Sequence, residues 1–189
     1  MATEPNQRLT IAEYLALERA SEMKHEYLDG EMFAMTGASR NHNLISGNVF
    51  SSLHSQVRGR RCEAYHGDMR VRTGDDLFTY PDVVVVCGAP QLDDTELDTL
   101  LNPMLLVEVL SKSTESYDCG PKLSHYRTTP SLSTILLIAQ NRIHVERWDR
   151  QADGRWLVEE IEDIGRTLDL PAIGCTLALA DVYDRVFET

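Results

Sequence analysis

Tyr80-Pro81-Asp82-Val83-Val84-Val85-Val86 and Leu105-Leu106-Val107-Glu108-Val109-Leu110 are short apolar runs, rich in β-branched residues and bounded by turn formers. That composition predicts two buried strands of one sheet. Each run carries a single carboxylate. Burying a bare charge costs several kcal/mol or more, so an acid inside such a strand must be paired, protonated or bound to a cation. Side chains alternate along a strand, which puts Glu108 on one face with Leu106 and Leu110 and leaves it no polar partner on its own strand. Pro81 holds Tyr80 extended and marks a strand start, so Asp82 falls at the end of the sheet where a site can open to solvent.

Working outward, Thr10 and Glu13 have the form of a capping box ahead of an amphipathic first helix that ends near Ser21. Asp29-Gly30 supplies the positive φ angles of a tight hairpin between His25–Leu28 and Glu31–Met35. Ser39 is placed to cap a long helix on which Ile45, Val49, Leu53 and Val57 form one apolar stripe, the face that should cover the sheet. Cys62–Tyr65 and Met69–Arg72 read as a strand pair turned at His66-Gly67-Asp68, and the acidic segment between the two central strands reads as a loop. A short helix is predicted over Asp118–Arg127, with Pro121 in its first turn, Asp118 as its cap, and Lys122 and Tyr126 on one face. Three antiparallel strands follow, Ser133–Ala139, Arg142–Trp148 and Trp156–Ile161, and then a closing helical turn within Thr176–Val186. The order of elements gives an α/β (α+β) core: a mixed β-sheet flanked by helices, with added antiparallel C-terminal strands.

At 189 residues the chain fits a single domain spanning 1–189, with residues 1–8 a loose tail. A hydrophobic fraction of 42% beside 25% charged residues is that of a soluble globular protein. No leader or run of roughly 20 apolar residues is visible, so a cytoplasmic protein with no membrane partner is expected. Four cysteines at irregular spacing, without a Cys-x-x-Cys pair, suggest reduced thiols and neither a zinc knuckle nor a disulfide scaffold. The net charge of -12 argues against broad nucleic-acid affinity, although Arg58, Arg60, Arg61, Arg70 and Arg72 lie close together in sequence.

Pro81-Asp82, Glu108 in a second strand and then Lys122 resemble the PD-(D/E)xK nuclease superfamily. The usual signature has an acid and a lysine two residues apart on one strand, and that lysine position is Leu110 here. More of the chain resembles one branch, the Uma-type restriction endonucleases, in which the lysine has moved to the next helix. The matching elements run from Glu26 through Asp29-Gly30-Glu31, Ser39, His42, Asp68, Tyr80-Pro81-Asp82, Glu108-Val109-Leu110-Ser111, Ser113-Thr114, Asp118, Lys122 and Tyr126 to Trp156. The resemblance implies a restriction-endonuclease-like core, a DNA substrate and a homodimer. It also implies a Mg²⁺ ion, replaceable by Mn²⁺, on Asp82 and Glu108 with the carbonyl of Val109, and Lys122 facing the attacked phosphate.

Oxygen ligands at few positions suit Mg²⁺, which keeps much of its shell for water and phosphate. Glu26 or Glu31 would supply an N-terminal acid to the same shell, and spacing does not choose between them; a solvated hairpin face explains either equally well. His42 is a candidate phosphate contact or proton carrier, against a plain helix-end histidine. For Asp82 the bland alternative is a carboxylate bonded to backbone donors, and for Glu108 a buried ion pair with Lys122 or an arginine. Leu110 and the acidic balance keep a second class open, a catalytically degenerate nuclease-fold domain that binds or assembles, and a small-molecule phosphoesterase is a third.

Overall fold

The structure, a computed structural model, describes residues 8–74, 76–93, 96 and 98–187; most of the expected N-terminal tail lies outside them. Helix α1 (Ile11–Ala20) starts at a complete capping box, with the Thr10 N–H donating to Glu13 at 2.8 Å and the Glu13 N–H to the Thr10 hydroxyl at 3.3 Å. Strands β1 (His25–Leu28) and β2 (Glu31–Ala34) form the predicted hairpin, turned by Asp29 at φ 50° and Gly30 at φ 90°. Helix α2 (Arg40–Val57) is capped by Ser39 and buries Ile45, Val49, Leu53 and Val57.

The remaining strands are β3 (Cys62–His66), β4 (Arg70–Thr73), β5 (Leu77–Thr79), β6 (Val83–Cys87), β7 (Thr99–Leu100), β8 (Leu105–Leu110), β9 (Thr134–Ala139), β10 (Val145–Arg150), β11 (Trp156–Ile161), β12 (Thr167–Leu170) and β13 (Cys175–Ala178). Two helical pieces, α3 (Glu115–Tyr117) and α4 (Leu123–Thr128), sit either side of a π-helical turn at Asp118–Lys122, and α5 (Leu179–Val182) closes the chain. A six-stranded sheet runs β11-β10-β9-β8-β6-β3, a five-stranded sheet β2-β1-β5-β4-β7, and β12 pairs with β13. Within the larger sheet only β8 and β9 are parallel, as the crossover through α3 and α4 requires. The architecture is thus the mixed α+β arrangement read from the sequence.

Alternation sorts the central strands onto two cores. Val83, Val85, Leu105, Val107 and Val109 face α2, the β12–β13 hairpin and α5. Val84, Val86, Leu106 and Leu110 face α4 and the smaller sheet, together with Leu77, Leu100 and Tyr126. Glu108 shares this second face, so its carboxylate points between the two sheets.

Four expectations are corrected. Strands β3 and β4 do not pair: β3 joins β6, whereas β4 joins β5 and β7 in the other sheet, so His66-Gly67-Asp68 is a crossing between sheets and not a hairpin turn. The acidic segment holds a short strand, β7, besides loop. Asp118 is not the N-cap of the helix that carries Lys122; the helical segment begins before it, and the wider π turn accommodates Pro121, which has no N–H to give. Finally, Cys62 and Cys87, 25 residues apart, are disulfide-bonded because β3 and β6 bring them opposite each other. Cys119 and Cys175 remain thiols.

Candidate active site

Strand register brings the two acids of the central runs together. Val83 stands opposite Val107 and Val84 opposite Leu106, so one further step puts Asp82 across from Glu108 on the same face. The crossover returns from β8 over that face, and the π turn aims Lys122 inward. Its ammonium lies 2.9 Å from Glu108 Oε1, 2.8 Å from Glu26 Oε1 and 3.4 Å from Asp118 Oδ1. Glu26 comes from β1, and thus from the smaller sheet. Lys122, Glu108, Glu26 and Asp118 are all buried, at 4%, 5%, 7% and 5% exposure, so these charges have little water to screen them.

Hydroxyl groups fix the carboxylates. The Tyr126 O–H donates to Glu108 Oε1, and the Thr79 O–H to Glu26 Oε1. Asp82 accepts the Val109 backbone N–H at 2.7 Å, and His42 Nε2 is 3.3 Å from the same carboxylate oxygen. The Asp82 side chain keeps 19% exposure, making it the solvent-facing member of the group. Two buried polar atoms at the site have no hydrogen-bond partner: His42 Nδ1 and the Tyr117 hydroxyl oxygen.

The electrostatics follow from three buried carboxylates sharing one ammonium. Burial pushes the Glu108 carboxyl up to about 8; Lys122 opposes that shift, while Asp118, Asp82 and Glu26 add to it. Burial also raises Asp118, against the pull of Lys122 and a hydrogen bond from Thr114. For Lys122 burial alone would lower the value, but Glu108, Tyr126, Glu26 and Asp118 outweigh it and hold the ammonium charged. His42 is likewise raised, because the hydrogen bond and charge of Asp82 overcome its burial. At neutral pH the pocket therefore retains a proton on a carboxyl that would ordinarily have lost it.

Of the sequence candidates, Asp82, Glu108, Lys122, Glu26, His42 and Asp118 converge. Glu31 does not: it is exposed beside the hairpin turn, opposite Leu28. Asp68 is also elsewhere, paired with Lys24 at the surface. Tyr126, on the same helix face as Lys122, holds Glu108. Thr79 carried no sequence signal because its three-residue strand was not visible.

The donor set suits a hard cation in part. Asp82 and Glu108 offer oxygen ligands on adjacent strands, and the acids outnumber the cationic groups around them, which is the charge balance a divalent ion would correct. Yet no group of three or more His, Cys, Asp or Glu side chains is arranged as a coordination cluster among the described residues. Lys122 occupies the centre of the carboxylates.

A mixed sheet carrying opposed acids on its middle strands, with a lysine delivered by the following crossover, defines a restriction-endonuclease-like fold. The same fold is seen in the crystal structure of "a putative nuclease belonging to DUF820" from Anabaena variabilis, with a TM-score of 0.77 at 20% identity over 95% of this chain and 99% of that one. Two uncharacterized proteins of Synechocystis sp. are similar in sequence: one is 34% identical over 95% of this chain and 93% of its own length, the other 36% identical over 81% and 87%. Residues 11–180 match the Uma2 family, described as "Putative restriction endonuclease", and the chain belongs to that family.

Proposed function

We propose that this chain is a Mg²⁺-dependent DNA endonuclease that hydrolyses phosphodiester bonds by attack of water. The observation that carries the reading is the meeting of Asp82 and Glu108 across β6 and β8 with the buried ammonium of Lys122 beside them. Asp82, Glu108 and the carbonyl of Val109 would hold the ion, which when bound supplies Lewis-acid polarisation of the phosphate and a more acidic water. Lys122 offsets the charge that develops on the attacked phosphate, and Glu26 and Asp118 keep its side chain in place. Tyr126 orients Glu108 through its hydroxyl. His42 is held at Nε2 by Asp82, and its buried Nδ1 has no hydrogen-bond partner, so in this reading the imidazole positions Asp82.

Cleavage of supercoiled plasmid in Mg²⁺ or Mn²⁺ tests this. Asp82→Asn and Glu108→Gln should each lower the rate by at least about a hundredfold, with the circular dichroism spectrum unchanged. Activity surviving both changes would remove the assignment. Because each chain carries one such pocket and duplex DNA has two strands, the working unit in this reading is a homodimer.

A second reading, a nuclease-fold domain that binds without turnover, is favoured by one feature: the Lys122 ammonium already occupies the space between the acids that a cation would need. Calorimetric titration separates the two. A degenerate site takes up no Mn²⁺, whereas a working one shows binding that Asp82→Asn removes.

A further inference from the structure

A cleft of about 580 Å³ opens where the start of α2, the segment following β8 and the end of β9 meet. Its walls include Arg40, Asn41, Ser111, Lys112, Gln140 and Asn141. It is linked to the candidate site: Leu110 ends the strand that carries Glu108 and Val109, and the Ser39 hydroxyl on the cleft wall accepts the N–H of His42, whose Nε2 contacts Asp82. Gln140 ties the three walls together, donating to the Leu110 carbonyl at 2.9 Å, accepting from the Ser39 hydroxyl, and offering its own carbonyl to Asn41 Nδ2 at 3.3 Å. The cleft is therefore a fixed extension of the site.

Its charge is unlike that of the rest of the molecule. The chain is at -12, and both other lysines are engaged: Lys24 with Asp68 and Lys122 with its three carboxylates. Lys112 is exposed and has no ion-pair partner among the described residues. Arg40 is bonded to the neutral Val186 and Arg185 carbonyls and to the Asn41 amide oxygen, so its position is fixed, and it has no ion-pair partner among the described residues. Against these two cations the cleft wall carries one acid, Glu115. The start of α2 contributes little, since the Ser39 hydroxyl already accepts the His42 N–H. Ser39 and Ser111 add hydroxyl groups to the lining, and Ser113 and Thr114 behind it hold Ser111 Oγ at 3.0 and 2.9 Å.

We propose that this cleft holds a backbone phosphate of duplex DNA next to the one that is cut, with Lys112 and Arg40 as its charged contacts and Asn141 and Ser111 as neutral ones. The inference rests on the nuclease reading above and adds to it where the strand lies. A protein with so much negative charge can approach DNA only through a local positive edge, and this edge adjoins the acids.

Binding of a fluorescent duplex oligonucleotide, without divalent cation and across a range of KCl concentrations, tests it. Lys112→Gln should weaken binding about tenfold and lower the slope of log K against log salt by about 0.9, and Lys112→Arg should restore both. Arg40→Gln should act alike, and the same charge removed at Arg155, in the β10–β11 turn, should change neither quantity. Unchanged affinity and slope in Lys112→Gln would overturn the cleft assignment even if the wild type cuts plasmid. Loss of binding in that variant, in a protein that never cuts, supports the cleft and sinks the catalytic reading alone. A wild type that binds no duplex overturns both.

Discussion

Glu108 concentrates the electrostatics of the pocket. Its carboxyl is pushed by burial to about 8 from an ordinary 4.5, so between those values the folded protein keeps a proton that the unfolded chain releases. Stability therefore falls as pH rises from about 4.5 to about 8 and levels off above. Urea titrations at several pH values should show this fall, and Glu108→Gln, which cannot ionise, should flatten it. A wild-type profile indistinguishable from that of the variant would mean that Glu108 is ionised throughout. Residue types and spacing made the acid visible in the sequence, because a lone carboxylate in a β-branched run has to be accounted for. Its partners were only half legible: Lys122 followed from the resemblance, but Glu26 and Glu31 were equivalent until the sheet order put Glu26 on an inner strand, where it is buried, and Glu31 on the edge strand, where it is exposed.

At the scale of elements, the segment from Glu115 to Thr128 does the positioning. Its π turn places Asp118 and Lys122 over the acids while Leu123 and Tyr126 remain in the core. Lys122→Met keeps the volume and removes the charge, leaving Glu26, Glu108 and Asp118 without their ammonium. The cost should be about 3–5 kcal/mol, read as a lowered urea midpoint, and adding Glu26→Gln should recover part of it because one of the stranded carboxylates is gone. If the double variant is as unstable as the sum of the two singles, the groups do not interact. Elements with strong local signals were readable: the capping box of α1, the Asp29-Gly30 turn and the four-residue stripe of α2. Strands β5 and β7, of three and two residues, were not. Runs so short carry no period, and their pairing is set by distant partners. The Cys62–Cys87 bond escaped for the same reason, since only the pairing of β3 with β6 brings the two residues together.

Across the whole molecule, the homodimer proposed above has a candidate seam in β11, the last strand of the larger sheet, where Leu157 and Val158 are 58% and 40% exposed. Sedimentation velocity should give a dimer for the wild type, and Leu157→Arg should shift it towards monomer. A monomer at micromolar concentration would remove the dimer. The sheet order itself was beyond sequence reasoning: β3 and β4 are neighbours in the chain but part company into different sheets, and the pocket lies in the gap that this division creates.

The pocket draws on positions from Glu26 to Tyr126, and its ammonium, that of Lys122, comes near the end of that span. A chain emerging from the ribosome presents Glu26, Asp82, Glu108 and Asp118 before Lys122, four like charges with nothing to gather them. Those carboxylates favour staying apart in water until the lysine arrives, so the nascent polypeptide has no assembled pocket for most of its synthesis.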